Sequence, residues 1–69
     1  MTETLNIIDV KAVRDRLGMT QSEFALRFGF QLKTLQNWEQ GIRQPAGPSR
    51  TLLMVIDKIP HHVQEALSS

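Results

Sequence analysis

The sequence predicts an all-α fold made of five short helices. Glycine and proline divide its 69 residues into pieces of about 8 to 12 residues, and apolar side chains recur three or four positions apart within each piece. No segment shows the strict alternation of apolar and polar residues that predicts a half-buried strand. A chain of this length holds one domain whose core is marginal, so self-association is expected to add stability.

The first helix is predicted from apolar residues on one face, which are Val10, Val13 and Leu17. Gly18 follows them directly. Glycine readily adopts the left-handed conformation found just beyond a helix end, so the first helix is expected to end here.

The second helix has the clearest start signal. Thr20 is followed three residues later by Glu23, a spacing that predicts a capping box in which both side chains accept hydrogen bonds from free backbone N–H groups. The apolar face of this helix comprises Phe24, Ala25 and Phe28. Gly29 then supplies a permissive residue for a tight turn.

Three more helices follow the same pattern. The third has an apolar face made of Leu32, Leu35 and Trp38. It is expected to end at Gly41, with Ile42 folding back as an apolar contact. Pro48 fits the first turn of a fourth helix, and Pro60 opens a fifth. The apolar positions of these last two helices are Leu52, Leu53, Ile56, Ile59, Val63, Ala66 and Leu67.

Composition excludes several classes of function. The chain has no cysteine, so a disulfide framework, a thiolate metal site and a cysteine nucleophile are ruled out, and a reducing cytoplasmic location is expected. His61 and His62 are adjacent, and adjacent helical side chains do not share a face. We therefore expect no catalysis, no cofactor and no metal. The longest apolar run, Leu52 to Ile56, is far shorter than the roughly 20 residues of a membrane helix.

The charge of the chain is unevenly spread. Eight Lys and Arg stand against seven Asp and Glu, and a net charge of +1 is not by itself typical of a nucleic-acid-binding protein. Residues 20–50, however, carry four basic and two acidic side chains, and the rest of the chain is slightly acidic. The middle segment is thus the mildly basic part, although an ordinary solvated surface would also fit this distribution.

The spacing from Gln21 to Trp38 predicts two short helices that cross over a tight turn, with Ala25 as the small contact residue and Gly29 in the turn. The segment MTQSEFALRFGFQLKTLQNWEQGIRQP resembles the lambda-repressor-like (XRE) helix-turn-helix family. Its LQNWEQG end is similar to HigA-type antitoxins and to small phage or anti-CRISPR-associated repressors. The resemblance implies an N-terminal arm at residues 1–7 and a compact five-helix DNA-binding domain at 8–69. The recognition helix is expected at about 31–40.

The third helix is expected to face DNA. Helical geometry turns its amides and its lysine away from Leu35 and Trp38, and amides and cations match the edges of bases in the major groove. The expected base contacts are Leu32, Lys33, Gln36 and Asn37, although Leu32 can instead join the core. The expected contacts to the DNA backbone are Gln21, Gln31, Gln40, Arg43 and Gln44. Gln31 departs from the Ser or Thr usual there in the family, which weakens its cap. The resemblance implies a structural role for Glu39, which is expected either to hold the loop after Gly41 or to pair with a nearby arginine.

The C-terminal helices, at residues 48–69, offer surplus apolar surface for a homodimer. The expected interface residues are Leu53, Met54, Val55, Ile59, Val63 and Leu67. The resemblance implies a sequence-specific repressor that binds double-stranded DNA at an inverted-repeat operator and regulates its own operon. Two alternatives stay open: a type II antitoxin that also binds a ribonuclease toxin, and a helix-turn-helix fold used only for protein contact. Only residues 1–8 precede the first helix, which favours the stand-alone repressor.

Overall fold

The structure is a computed structural model that describes residues 8–68. Over this range the chain forms helices and no strands, which confirms the all-α expectation. The helices are α1 Val10–Arg16, α2 Gln21–Phe28, α3 Leu32–Glu39, α4 Gly47–Lys58 and α5 Pro60–Ser68. The expected arm at residues 1–7 and the terminal Ser69 lie outside the described residues.

Side-chain caps fix the starts of the first two helices. The Asp9 carboxylate accepts a hydrogen bond from the Ala12 backbone N–H at 3.0 Å. The predicted capping box is confirmed, because the Thr20 hydroxyl accepts from the Glu23 N–H at 3.1 Å and the Glu23 carboxylate accepts from the Thr20 N–H at 2.8 Å. Gln31, at the start of α3, makes no such side-chain bond. The start of α3 is therefore held by packing rather than by a cap.

The core lies where the five helices meet. Four side chains in it are the largest that are fully buried: Phe24, Leu35, Leu53 and Ile56. Val10, Val13, Ala25, Phe28, Trp38 and Val63 complete the buried cluster. Aromatic contacts cross the turn between α2 and α3, because Phe30 meets the edge of Trp38 with ring centroids 5.1 Å apart and also stacks near Phe24. Burying this cluster fixes α2 and α3 relative to each other.

Polar contacts tie the terminal helices to the rest of the fold. The Arg16 guanidinium pairs with Asp57, joining α1 to α4 at an exposed site. The Arg27 Nη1 donates to Gln64 Oε1 at 3.0 Å, joining α2 to α5. The C-terminal helix α5 is therefore attached directly to α2.

The Ile42 N–H folds back onto the end of α3 and donates to the Asn37 carbonyl at 3.0 Å, while the Ile42 side chain is 63% exposed. The expected place of Leu53 at a dimer interface is wrong. Leu53 is fully buried in the core, so it is not available to a second subunit. Val63 is also buried, but it forms part of the floor of a groove between α4 and α5. Met54 lies on the other side of α4, in a depression that it shares with Ile8.

The groove between α4 and α5 is the main apolar surface feature of the described residues. It has a volume of about 680 Å³. Val55 of α4, Ile59 directly after α4 and Leu67 of α5 line it and are all exposed large apolar side chains. These three residues from the expected interface therefore share one surface.

Candidate nucleic-acid interface

The turn between α2 and α3 holds the two helices in a fixed crossing. Gly29 has a φ of +79°, a conformation that glycine adopts at little cost. The Phe30 N–H donates to the Ala25 carbonyl at 2.9 Å and closes the end of α2. Leu35 and Trp38 then bury one face of α3 against the core. The opposite face of α3 is consequently turned outward.

The outward face of α3 carries the residues expected to contact bases. Leu32 is 40% exposed, so it lies at the surface rather than in the core. Lys33 is exposed, and Gln36 and Asn37 are half-buried along the same helix. The structure therefore brings the four expected base-contact residues onto one short helix.

Arg43 and Gln44 follow α3 in an exposed loop. Gly41 has a φ of +78° and reverses the chain there. The Asn37 carbonyl then accepts hydrogen bonds from the Ile42 N–H at 3.0 Å and the Arg43 N–H at 3.4 Å. These bonds hold the loop against the C-terminal end of α3. The backbone of Arg43 is thus held next to the end of α3, and its side chain is exposed.

Three further residues expected to contact the DNA backbone lie on α2 and α3 or at their ends. Gln31 and Gln40 are exposed on either side of α3. Gln21 begins α2 and is half-buried. The Gln21 side chain makes hydrogen bonds within the protein, which are described below with Glu39.

A partly buried ion pair lies behind this face. The Arg14 Nε and Nη2 donate to Glu39 Oε2 and Oε1 at 2.7 and 2.8 Å, and the two side chains are only 13% and 5% exposed. Arg14 Nη1 also donates to the Met19 carbonyl at 3.0 Å. The expected pairing of Glu39 with an arginine is present. The pair attaches α1 to the C-terminal end of α3.

Each member of the pair stabilises the charged form of the other. The hydrogen bonds from Arg14 lower the pKa of Glu39 below its ordinary value, against the opposing effect of burial, and a hydrogen bond from Gln21 lowers it further. The same hydrogen bonds raise the pKa of Arg14. Glu39 is therefore a carboxylate at neutral pH and accepts hydrogen bonds without donating any.

Two glutamines extend this pair toward the surface. Gln21 Nε2 donates to Glu39 Oε1 at 3.1 Å, and Gln36 Nε2 approaches Gln21 Oε1 at 3.5 Å.

The role of Arg14 was not predicted from the sequence. The only signal for it was the expectation that Glu39 pairs with an arginine, and nothing in the sequence indicated which one.

Metal-binding clusters and membrane-spanning helices are absent from residues 8–68. No group of three or more His, Cys, Asp or Glu side chains there is placed to hold a metal ion. Over the same residues, no helix is both long and apolar enough to span a membrane.

Two helices joined by a tight glycine turn, the second with a polar outward face, define a helix-turn-helix protein. Residues 10–48 match the family model described as helix-turn-helix, and the chain belongs to this family. It is similar to the crystal structure of an XRE-family-like helix-turn-helix protein from Agrobacterium tumefaciens. The TM-score is 0.82 and the identity 39%, over 86% of this chain and 95% of that one.

The chain is also similar to a curated protein, the antitoxin HigA-2 of Vibrio cholerae. The two are 32% identical over an alignment of 60 residues, and the match covers 83% of this chain and 58% of the antitoxin. The chain thus spans little more than half the length of this relative. This family is one of DNA-binding transcription regulators.

Proposed function

We propose that the chain is a sequence-specific transcriptional repressor that binds an inverted-repeat operator as a homodimer and regulates its own operon. The observation that carries this proposal is the outward face of α3, where Lys33, Gln36 and Asn37 lie opposite two buried anchors. Amides can pair bidentately with adenine, and lysine can donate to guanine. With DNA as its ligand, the protein is expected to act in the cytoplasm.

Phosphate contacts are proposed for the side chains around this face, namely Gln21, Gln31, Gln40, Arg43 and Gln44. Helix starts and exposed cations are suited to phosphate because backbone N–H groups and positive charge converge there. Lys33 and Arg43 are the exposed cations of α3 and its following loop. A dimer brings two copies of each. Because a lysine that reaches a base from the groove also lies close to the phosphates, the dimer neutralises about four of them.

The dependence of DNA affinity on salt tests these contacts. With about four phosphates neutralised, the logarithm of the association constant should fall against the logarithm of salt concentration with a slope of about −3.6. Arg43→Gln should reduce that slope by about 1.8 in a dimer. Lys58→Gln is the matched control and should leave the slope unchanged. Lys58 lies beside α1, in the depression lined by Ile8 and Asp9, and is not among the proposed DNA contacts. A slope near zero in the wild type contradicts the proposal and favours a fold used only for protein contact.

Base reading is tested separately from phosphate binding. Asn37→Ala should change the preference among operator sequences, whereas Arg43→Gln should weaken binding to all of them together. Fluorescence anisotropy with a panel of labelled duplexes measures both effects. If neither substitution changes affinity, α3 is not the surface that binds DNA.

The homodimer is proposed to form through the groove between α4 and α5. Val55, Ile59 and Leu67 present apolar side chains there, and no charged residue lines the groove. Pairing about a two-fold axis would place two copies of α3 in successive major grooves, roughly 34 Å apart. Specific binding by one small module is weak, so the second copy supplies the contacts that a single chain lacks.

Sedimentation equilibrium tests the interface with two lysine substitutions, one in the groove just after α4 and one on the opposite side of α4. Ile59→Lys should give a monomer, because it introduces a charge into the apolar groove. Met54→Lys should leave the dimer intact, since Met54 is exposed on the opposite side of α4. A wild-type chain that is monomeric both free and on its operator contradicts the proposal.

A second candidate function is that of an antitoxin, favoured by the similarity to HigA-2. In that case the chain would bind a ribonuclease toxin in addition to its operator. Co-expression with the product of a small neighbouring gene is the direct test. Restored growth together with a purified complex of the two proteins supports the antitoxin, and toxicity that the chain does not relieve argues against it.

A further inference from the structure

One chain of hydrogen bonds runs from the partly buried ion pair to the outward part of α3. Arg14 holds the Glu39 carboxylate, Glu39 Oε1 accepts from Gln21 Nε2 at 3.1 Å, and Gln21 Oε1 faces Gln36 Nε2 at 3.5 Å. The four side chains come from α1, α2 and α3. They connect a fixed charge in the interior with an amide expected to read a base.

The carboxylate determines the direction of every donor in this chain. An ionised carboxylate only accepts hydrogen bonds, so Gln21 must present its Nε2 to Glu39. The Gln21 Oε1 is then the atom left for Gln36, and it too only accepts. Gln36 must therefore use one of its N–H groups toward Gln21. Without Glu39 either end of the Gln21 amide could face Gln36, and the orientation of Gln36 would not be fixed.

We propose that Glu39, acting through Gln21, sets the orientation of the Gln36 amide and thereby the base that α3 prefers at one position of each half-site. This inference rests on the proposed DNA-reading function. The second N–H of Gln36 and its Oε1 remain as an adjacent donor and acceptor, and this pair matches N7 and the N6 amino group of adenine. Glu39 and Gln21 are positioning residues, and Gln36 is the residue that touches the base.

The test compares base preferences of variants on operators selected from random duplex DNA. Gln36→Met should reduce the preference for adenine at one position of each half-site by roughly tenfold. Gln21→Met, which keeps the side-chain length but removes the amide, should reduce the same preference by a similar factor. The double variant should lose no more than either single variant, because the residues act as a unit.

Gln64→Met is the matched control, since Gln64 is an amide on α5 whose Oε1 accepts from Arg27 at 3.0 Å and which takes no part in the chain. It should leave the adenine preference unchanged. Melting temperature is measured alongside, because a merely structural role of Gln21 would lower stability and leave base preference as it was. Glu39→Gln, studied below its own melting temperature, should relax the adenine preference although Gln21 is still present.

The outcomes separate this inference from the proposed function. If the wild type shows no preference among sequences, DNA reading itself is refuted. If the wild type discriminates but Gln36→Met changes no preference, Gln36 is not a reader and the inference fails. If Gln36→Met relaxes the preference while Gln21→Met or Glu39→Gln retains it in full, the positioning role is refuted and DNA reading stands.

Discussion

Replacing Glu39 with glutamine is predicted to destabilise the fold by about 1–3 kcal/mol, because it leaves the partly buried Arg14 guanidinium without a carboxylate partner. The side chains of Arg14 and Glu39 are 13% and 5% exposed, so the pair is largely shielded from water. A chain of 69 residues is expected to have a total stability of about 3–10 kcal/mol. The loss is therefore a large share of the whole.

Urea and thermal unfolding measure this loss. Trp38 is the single tryptophan, and it is buried against Phe30, so its fluorescence reports the packing of α3 directly. For a domain of this size each kcal/mol shifts the melting temperature by about 4–8 °C. Glu39→Gln should therefore lower the melting temperature by at least about 4 °C.

Two controls show whether burial is the cause. Asp57→Asn removes an ion pair with Arg16 whose side chains are 43% and 60% exposed, and it should cost at most about 1 kcal/mol. The double variant Arg14→Met with Glu39→Leu replaces the partly buried charges with apolar groups, and it should be more stable than either single change. A loss of unfolding free energy below about 1 kcal/mol for Glu39→Gln would refute the reasoning. So would a double variant whose loss equals the sum of the losses of Arg14→Met and Glu39→Leu measured singly.

The remaining predictions concern stability and are measured by the same unfolding experiments. The pKa of Glu39 is lower in the folded chain than its ordinary value. The stability that ionised Glu39 gives the fold is therefore complete above about pH 4.5 and is lost as the pH falls through the folded pKa. The difference in unfolding free energy between the wild type and Glu39→Gln should accordingly narrow on acidification. Leu53→Ala should cost about 2–5 kcal/mol because Leu53 is fully buried, whereas Leu26→Ala, at a position 84% exposed, should change stability by less than about 0.5 kcal/mol. Gly29→Ala should cost about 1–2 kcal/mol from its left-handed backbone alone, since a Cβ there meets no neighbouring atom. Thr20→Ala should cost about 1 kcal/mol through loss of the capping box.

Local signals in the sequence predicted the helices well. The Thr20 and Glu23 pair and the left-handed Gly29 act within a few residues of chain, so their geometry follows from short-range stereochemistry. The anchoring of α3 by Leu35 and Trp38 could be predicted for the same reason, because helical periodicity alone separates that face from the polar one.

Contacts between distant segments could not be predicted in this way. The five consecutive apolar residues from Leu52 to Ile56 hide the phase of α4, so the sequence did not show that Leu53 faces the core and Val55 the groove. The partner of Glu39 lies 25 residues earlier in the chain, and only the packing of α1 on α3 brings Arg14 to it. The engagement of Gln21 by Glu39 depends on the same packing.

The central claim is that two copies of α3, one from each subunit of a homodimer, read the two halves of an inverted-repeat operator. Selection of binding sites from random duplex DNA tests this claim most directly. The predicted result is an enriched inverted repeat whose half-sites are about 10 base pairs apart from centre to centre, with an adenine preference that depends on Gln36. Enrichment of no sequence at all, or of a single unpaired half-site, would contradict it.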